Sequence, residues 1–491
     1  MSYAIKMLIS AALLTSGAMA VSTAHAASSA AQVCVSCHGP QGQGGGIFPR
    51  IAGQPALYLQ QQLRLIRSGA RVNELMQPIA RTLSNKDITA LGDYFSRIKI
   101  PFKPSTRPMP VAEIARGHQL ATVGDWREGA PACISCHGPE LEGVAPEIPA
   151  LAGQSPDYLL TRLQTFKTAS GGSLSVMVMS HASNGLSDAD IQAITGYIAH
   201  LKPGERLQRT RPPQDASYRF TTQSPDHFVP PPESAIPGGP DGDMIWRGLQ
   251  IFDDTQHTAS RYVGNSLNCS NCHINQGRRA NSAPMWAAYV AYPKYRSKNH
   301  KVNTIEERIQ GCFRFSMNGS PPPVDSSEMK ALVTYFHWLA TGLPVGITPK
   351  GAGYPKLPAP AQPANIQRGA SVYASDCAMC HADDGNGRVS NGTQVFPPLW
   401  GPHSFNWGAG MQGISTAAGF IRANMPFGAG ATLTEQQAWD VAAYVVSHER
   451  PQDPRFTGSV EATRKKFHAH NSYYGQVING HLLGAPSKPH E

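Results

Sequence analysis

Four times along the chain the apolar positions fall into one helical register. Ile88, Leu91, Tyr94 and Phe95 are matched by Ile191, Ile194, Tyr197 and Ile198, then by Met329, Leu332, Tyr335 and Phe336, and again by Ala438, Val441, Tyr444 and Val445. Spacings of three and four residues put each set on one face of an amphipathic helix turned toward a core. The first two of these helices open with a serine followed three residues later by an acid, Ser84 with Asp87 and Ser187 with Asp190, the pattern of a capping box. The segments ahead of them are copies of one another: CVSCHGPQGQGGGIFPRIAGQPALYLQQQL is echoed about a hundred residues later by CISCHGPELEGVAPEIPALAGQSPDYLLTRL. A repeat of this size means duplicated domains rather than a solenoid. The periodicity lapses over 204–236, a polar Pro-rich run with RPPQ and VPPPES that reads as an extended linker, and again over 346–362. After about 456 a tail carries His468, His470, Tyr473 and Tyr474, and its pattern leaves open whether it wraps the surface. At the other end Lys6, an apolar run through Leu13 and Leu14, and Ala24-His25-Ala26 read as a secretory signal over 1–26. No later apolar run is long enough to span a membrane, so a periplasmic, soluble mature protein is expected.

Cysteine usage turns this pattern into chemistry. Nine cysteines in an exported chain ordinarily imply disulfides, yet eight form four CxxCH motifs: Cys34/Cys37/His38, Cys133/Cys136/His137, Cys269/Cys272/His273 and Cys377/Cys380/His381. In such a motif two thiolates add to the vinyl groups of a haem and the adjacent histidine ligates its iron. Four of them, about a domain apart, argue against zinc. Each precedes one of the four helices, and the combination resembles a class I cytochrome c domain. The expected architecture is therefore all-α, four such haem domains in tandem over 27–103, 104–203, 237–345 and 363–455, with four covalent haem c groups. The formal charge of +9 and pI of about 9.1 suit a small anion or an acidic electron-transfer partner. Basic residues form no long tract, which argues against nucleic acid.

Sixth ligands are sought among methionines. Met76 and Met179 precede their capping serines by the same interval, which selects Met179 over Met177; the ordinary role of methionine is core filler, and His181 is a minor rival. For the fourth haem, spacing favours Met425 in NMPFG over Met411 in WGAGM. Cys312 is the one cysteine outside a CxxCH, where a class I domain would usually supply methionine. A lone cysteine is most often a buried inert thiol; as a ligand it would place a nucleophilic sulfur on a redox centre. Arg308 lies one helical turn before it and Ser316 about one after, with Arg296 and Lys298 upstream. Read blandly, Arg308 pairs with Glu306 or Glu307, Ser316 is a helix or turn residue and Arg296 is solvated. Beside a haem and a thiolate they make a cationic pocket with a hydroxyl, fit for a small oxyanion.

CHINQGRR, YPKYR, VNTIEERIQGCFRFSMNG and SFNWGAGM followed by FIRANMP resemble the dihaem thiosulfate dehydrogenase family over about 233–455. The preceding part resembles a tandem dihaem cytochrome c of the kind that accepts electrons from that enzyme, here fused ahead of it. The resemblance implies His273 and Cys312 as ligands of the active-site haem, thiosulfate contacts by Arg308, Ser316 and Arg296, and Met411 rather than Met425 on the fourth haem. Gly410 stands where some members carry a lysine that exchanges with this methionine, so no such exchange is expected. The implied reaction joins two thiosulfate into tetrathionate. Its electrons would leave for an external acceptor such as a small cytochrome, a high-potential iron-sulfur protein or a terminal oxidase. Tetrathionate reduction, a non-catalytic multihaem carrier and a component of a sulfur-loading complex are the competing readings.

Overall fold

The structure is a computed structural model that describes residues 31–169, 172–215, 217–218, 228–296 and 299–485. The signal segment and Lys298 lie outside these residues. Helices dominate, and the only sheets among the described residues are four two-stranded hairpins. No described helix is long and apolar enough to cross a membrane.

The four periodic segments are helices, Asn85–Ser96, Asp188–His200, Ser327–Leu339 and Glu435–Val446. Capping boxes close the ends of the first two as expected and also that of the fourth, through Thr434 and Gln437; Ser326 caps the third by accepting from Met329 N. In the last three modules an earlier helix crosses this closing helix: Val111–Thr122, Gly239–Asp253 and Ile366–Asp376. A glycine marks each crossing, because a Cβ on Gly117, Gly248 or Gly369 would run into the carbonyl of Ala193, Ala331 or Asp440. Tyr197, Tyr335 and Tyr444, the tyrosines of the shared register, lie over these glycines. The first module departs from the pattern: Ile88, Leu91 and Phe95 are buried, but Tyr94 is 37% exposed and rests edge-on against Phe95.

The duplicated modules meet through a reciprocal exchange between equivalent residues. Gln54 Nε2 donates to Ala150 O while Ala150 N donates to Gln54 Oε1; Gln154 Nε2 donates to Arg50 O while Arg50 N donates to Gln154 Oε1, all at 2.7–3.0 Å. Both glutamines are buried, so each substitutes for a strand partner that the opposite backbone lacks.

The linker over 204–236 holds no helix or strand among its described residues before the short turn Glu233–Ala235. It is pinned nonetheless: the buried Arg209 pairs with Glu233 and, at 3.3 Å, with Asp253, and Arg211 pairs with Asp243. The tail after 456 wraps the surface with a helix, Val460–Phe467, and a hairpin pairing Val477–Ile478 with His481–Leu482.

Replacing Gln154 with alanine strands the Arg50 amide and carbonyl in a buried interface. A loss of about 1–3 kcal/mol per stranded group is expected, read as an earlier denaturation midpoint of the first two modules.

Candidate functional site

Each CxxCH histidine is fixed in the same way. Nδ1–H donates to a main-chain carbonyl: His38 to Pro49 at 2.8 Å, His137 to Pro149 at 2.8 Å, His273 to Ala283 at 2.8 Å and His381 to Pro397 at 2.9 Å. This sets the tautomer with Nε2 bare, the form a metal-ligating imidazole needs. Burial, helped by the Arg308 charge and opposed by the bond to Ala283, pushes His273 down to about 4, so the ring is neutral in ordinary conditions. Burial also pushes Cys269 and Cys272 up to about 12; such thiols persist as neutral groups until covalently capped.

Two cavities hold three of these motifs, those of the second, third and fourth modules. One, of about 330 Å³, lies in the third module and is lined by Cys272, His273, Leu332 and Phe336 together with Arg308, Cys312 and Ser316. The other, of about 900 Å³, is continuous from His137 in the second module to His381 in the fourth. Apolar walls with one bare imidazole nitrogen and a cysteine pair fit haem. The larger cavity adds a second sign: Arg71 and Arg162 line it together, and Arg71 Nε is buried without a partner. Burial and the neighbouring Arg71 charge both lower Arg162. Two guanidinium groups in an apolar chamber call for anions, and haem propionates would be such anions.

In the smaller cavity the helix Ile305–Gly311, capped by Thr304 and Glu307, runs on into a π-wound turn, Cys312–Ser316. The extra residue per turn re-aims the side chains, as π-turns often do at working sites. Arg308 Nη1 lies 2.9 Å from Cys312 Sγ. The sulfur raises the Arg308 pKa, against opposing burial. Of the two acids in the bland pairing, Glu307 is taken by Lys301. Ser316 completes the set at the far end of the turn. Arg296 stands on the strand Lys294–Arg296 and donates to Tyr292 Oη at 3.2 Å, and it is Tyr292 and Lys294 that reach the cavity wall. Tyr354, which donates to Cys272 O, adds to the field at Arg308. The YPKYR run contains Tyr292 and Lys294, so a basic and aromatic signal was present; Tyr354, Arg71 and Arg162 gave none.

Met179 lines the larger cavity from the helix Leu174–Asn184, and Met411 and Met425 both line it beside His381. Met76 opens the helix Met76–Thr82. His181 is exposed and bonds back to Met177 O. The Met411 loop lies directly on the cysteine turn: Asn406 donates to Arg314 O and Asn318 Oδ1, and its own amide donates to Phe315 O. The tail clamps the loop from outside. Tyr474 packs on Trp407, Ser472 Oγ donates to Gln412, and Asn471 meets Ile414 and Ser415. Its anchor is Asp453, wholly buried between His468 at 2.8 Å and Arg455 at 2.7 Å. Burial alone would raise this carboxyl, but hydrogen bonds from His468 and Arg455 outweigh it and hold it well below the usual range.

The second module docks on the fourth at its CxxCH. Cys136 and Cys380 pack around Val144, Ile148 and Phe396, while Ser390 Oγ donates to Gly143 O and Asn391 Nδ2 to Glu140.

Family descriptions match every module: "Cytochrome c" over 24–99 and 114–202, "SoxA/TsdA, cytochrome c domain" over 258–345, and "Cytochrome C oxidase, cbb3-type, subunit III" over 364–445. The chain is 54% identical over 261 residues to a thiosulfate dehydrogenase of Stutzerimonas stutzeri, covering 52% of this chain and 85% of the relative. It is 41% identical over 169 residues to a thiosulfate dehydrogenase electron acceptor of Thiomonas intermedia, covering 34% of this chain and 77% of the relative. Its fold matches the thiosulfate dehydrogenase TsdBA of Marichromatium purpuratum with a TM-score of 0.80 and 40% identity, over 92% of this chain and 95% of that one.

Exchanging Asp453 for asparagine takes the wholly buried carboxylate away from the buried His468 and the part-exposed Arg455. A cost of about 3–5 kcal/mol is expected, seen as faster proteolytic release of the tail. The carboxyl is depressed in the folded state, so its contribution is complete above the unfolded carboxylate pKa of about 3.9. The gap between parent and variant should therefore narrow only as pH falls below that value.

Proposed function

Since this chain belongs to the thiosulfate dehydrogenase family, with its acceptor module fused ahead of the enzyme module, we propose that it oxidises two thiosulfate to tetrathionate in the cavity of the third module and passes the electrons to an outside acceptor from the first. We further infer an exported, periplasmic protein with four haem c groups. The contact that carries this reading is Arg308 against the Cys312 sulfur, beside the neutral His273.

In this reading Cys34/Cys37, Cys133/Cys136, Cys269/Cys272 and Cys377/Cys380 attach the haems. His38, His137, His273 and His381, with Met76, Met179, Cys312 and Met411, would hold the irons. When bound, the haems supply one-electron storage sites along the series His273, His381, His137 and His38. The chemistry on sulfur belongs to the protein. Cys312 thiolate joins the terminal sulfur of one thiosulfate with loss of two electrons, giving a cysteinyl S-thiosulfonate. The terminal sulfur of a second thiosulfate attacks the sulfur bonded to Cys312, forming the central bond of tetrathionate and returning the thiolate. Both substrates are dianions, and Arg308 supplies fixed positive charge where water would otherwise have to reorganise. Ser316 offers a hydroxyl to the sulfonate oxygens. Arg296 acts through Tyr292, with Lys294 adding charge at the wall.

Replacing Cys312 with glycine is expected to leave thiosulfate-dependent ferricyanide reduction below about one part in a thousand while four haems remain attached by mass; turnover near the parent's would refute the sulfur chemistry. A second test concerns the fourth haem. Met411→Ala should abolish the magnetic resonance signature of one iron-bound methionine, and Met425→Ala should preserve it.

A further inference from the structure

The duplication contains its own template for a redox contact. In the second module the CxxCH loop is covered by the fourth module, and Val144 and Ile148, joined by a β-bridge, form the apolar contact with Phe396. In the first module the same loop has the same main-chain pattern, with Gly44 N on His38 O matching Gly143 N on His137 O, and Gly45 bridged to Phe48. There it is open: Cys37 is exposed, Ile47 is 60% exposed and Val33 55%. The charges differ as well. Glu140, Glu142 and Glu147 of the covered loop are replaced by Gln41, Gln43 and Ile47. Residues 31–103 carry nine Lys and Arg against three Asp and Glu, whereas 104–203 carry six against nine.

We propose that the Cys37 face of the first module, around Val33 and Ile47, is the exit dock for an acidic electron-carrier protein that presents an apolar rim about its own redox centre. The second module uses this loop once, inward, against the fourth; the first module offers the equivalent loop outward. Removal of the three acids lets an acidic carrier approach a module of net positive charge, which raises association rate and makes it salt-dependent. The apolar centre then closes as Val144, Ile148 and Phe396 close inside the chain. This deepens the functional reading by naming the partner's surface, and the exit step can be tested apart from thiosulfate chemistry.

The full haem-loaded protein, reduced beforehand with dithionite, is mixed in a stopped-flow with an oxidised acidic single-haem cytochrome c or with a basic one of similar size. The acidic probe is expected to be reduced about tenfold faster at low ionic strength, with the advantage shrinking as salt rises. Ile47→Glu should slow it about tenfold, and Gln41→Glu, which alters only an exposed side chain, should slow it in the same direction. Val111→Glu, at an exposed site on the second module, should leave the rate within about twofold. Equal rates for the two probes, or unchanged rates in both Gln41→Glu and Ile47→Glu, would overturn the proposal. So would a concentration-dependent dimer of the parent that Ile47→Glu abolishes, since a second copy would then own the face. Fast, charge-selective exit from a chain that fails to oxidise thiosulfate would leave the dock standing and remove the enzymatic reading; the opposite pattern would do the reverse.

Discussion

A sulfur atom set against a guanidinium at 2.9 Å governs the rest of the enzyme half. Left alone in an apolar cavity, Arg308 would be an uncompensated charge, and the Cys312 sulfur beside it is what raises its pKa against burial. The arrangement works only if the turn that carries the cysteine stays wound as it is, and that turn has little regular structure of its own. Asn265 donates to Ser316 O and to Ser404 O. With Asn406, it ties the turn to the fourth module. The site is thus built in one module and held in shape by another.

The larger cavity depends on the same economy of contacts. Its chamber runs from the second module into the fourth, so the two histidines inside it share walls, and the arginines that line it would be matched by a cofactor's acidic groups. Apolar burial, fixed imidazole tautomers and unmatched guanidinium nitrogens all point to the same occupant. None of these features alone would identify it.

What the sequence disclosed was local in character. Capping boxes, the three-and-four register and the CxxCH motifs each fit within about four residues, and all appear in the fold. Arg308, Cys312 and Ser316 were legible together because one helical stretch carries them. Tyr94 was misplaced: its register matches Tyr197, but helical phase does not say which face a neighbour covers. Tyr354 meets Cys272 across 82 residues, and Gln154 meets Arg50 across 104; no pattern along the chain marks such meetings. The tail was undecided for the same reason, since its grip on Trp407 and Gln412 is made by side chains of ordinary polarity.

The docking of the second module onto the fourth has a consequence for traffic. Where enzyme and acceptor are separate molecules, each handover waits on a collision, and its frequency falls with dilution and with the ionic medium. In one polypeptide, with Cys136 and Cys380 lodged around a shared apolar plug, the local concentration of acceptor is set by geometry alone. Crowding, scarcity and salinity lose their hold on that inner contact, and with the proposed exit the one meeting left to chance is at the outermost module.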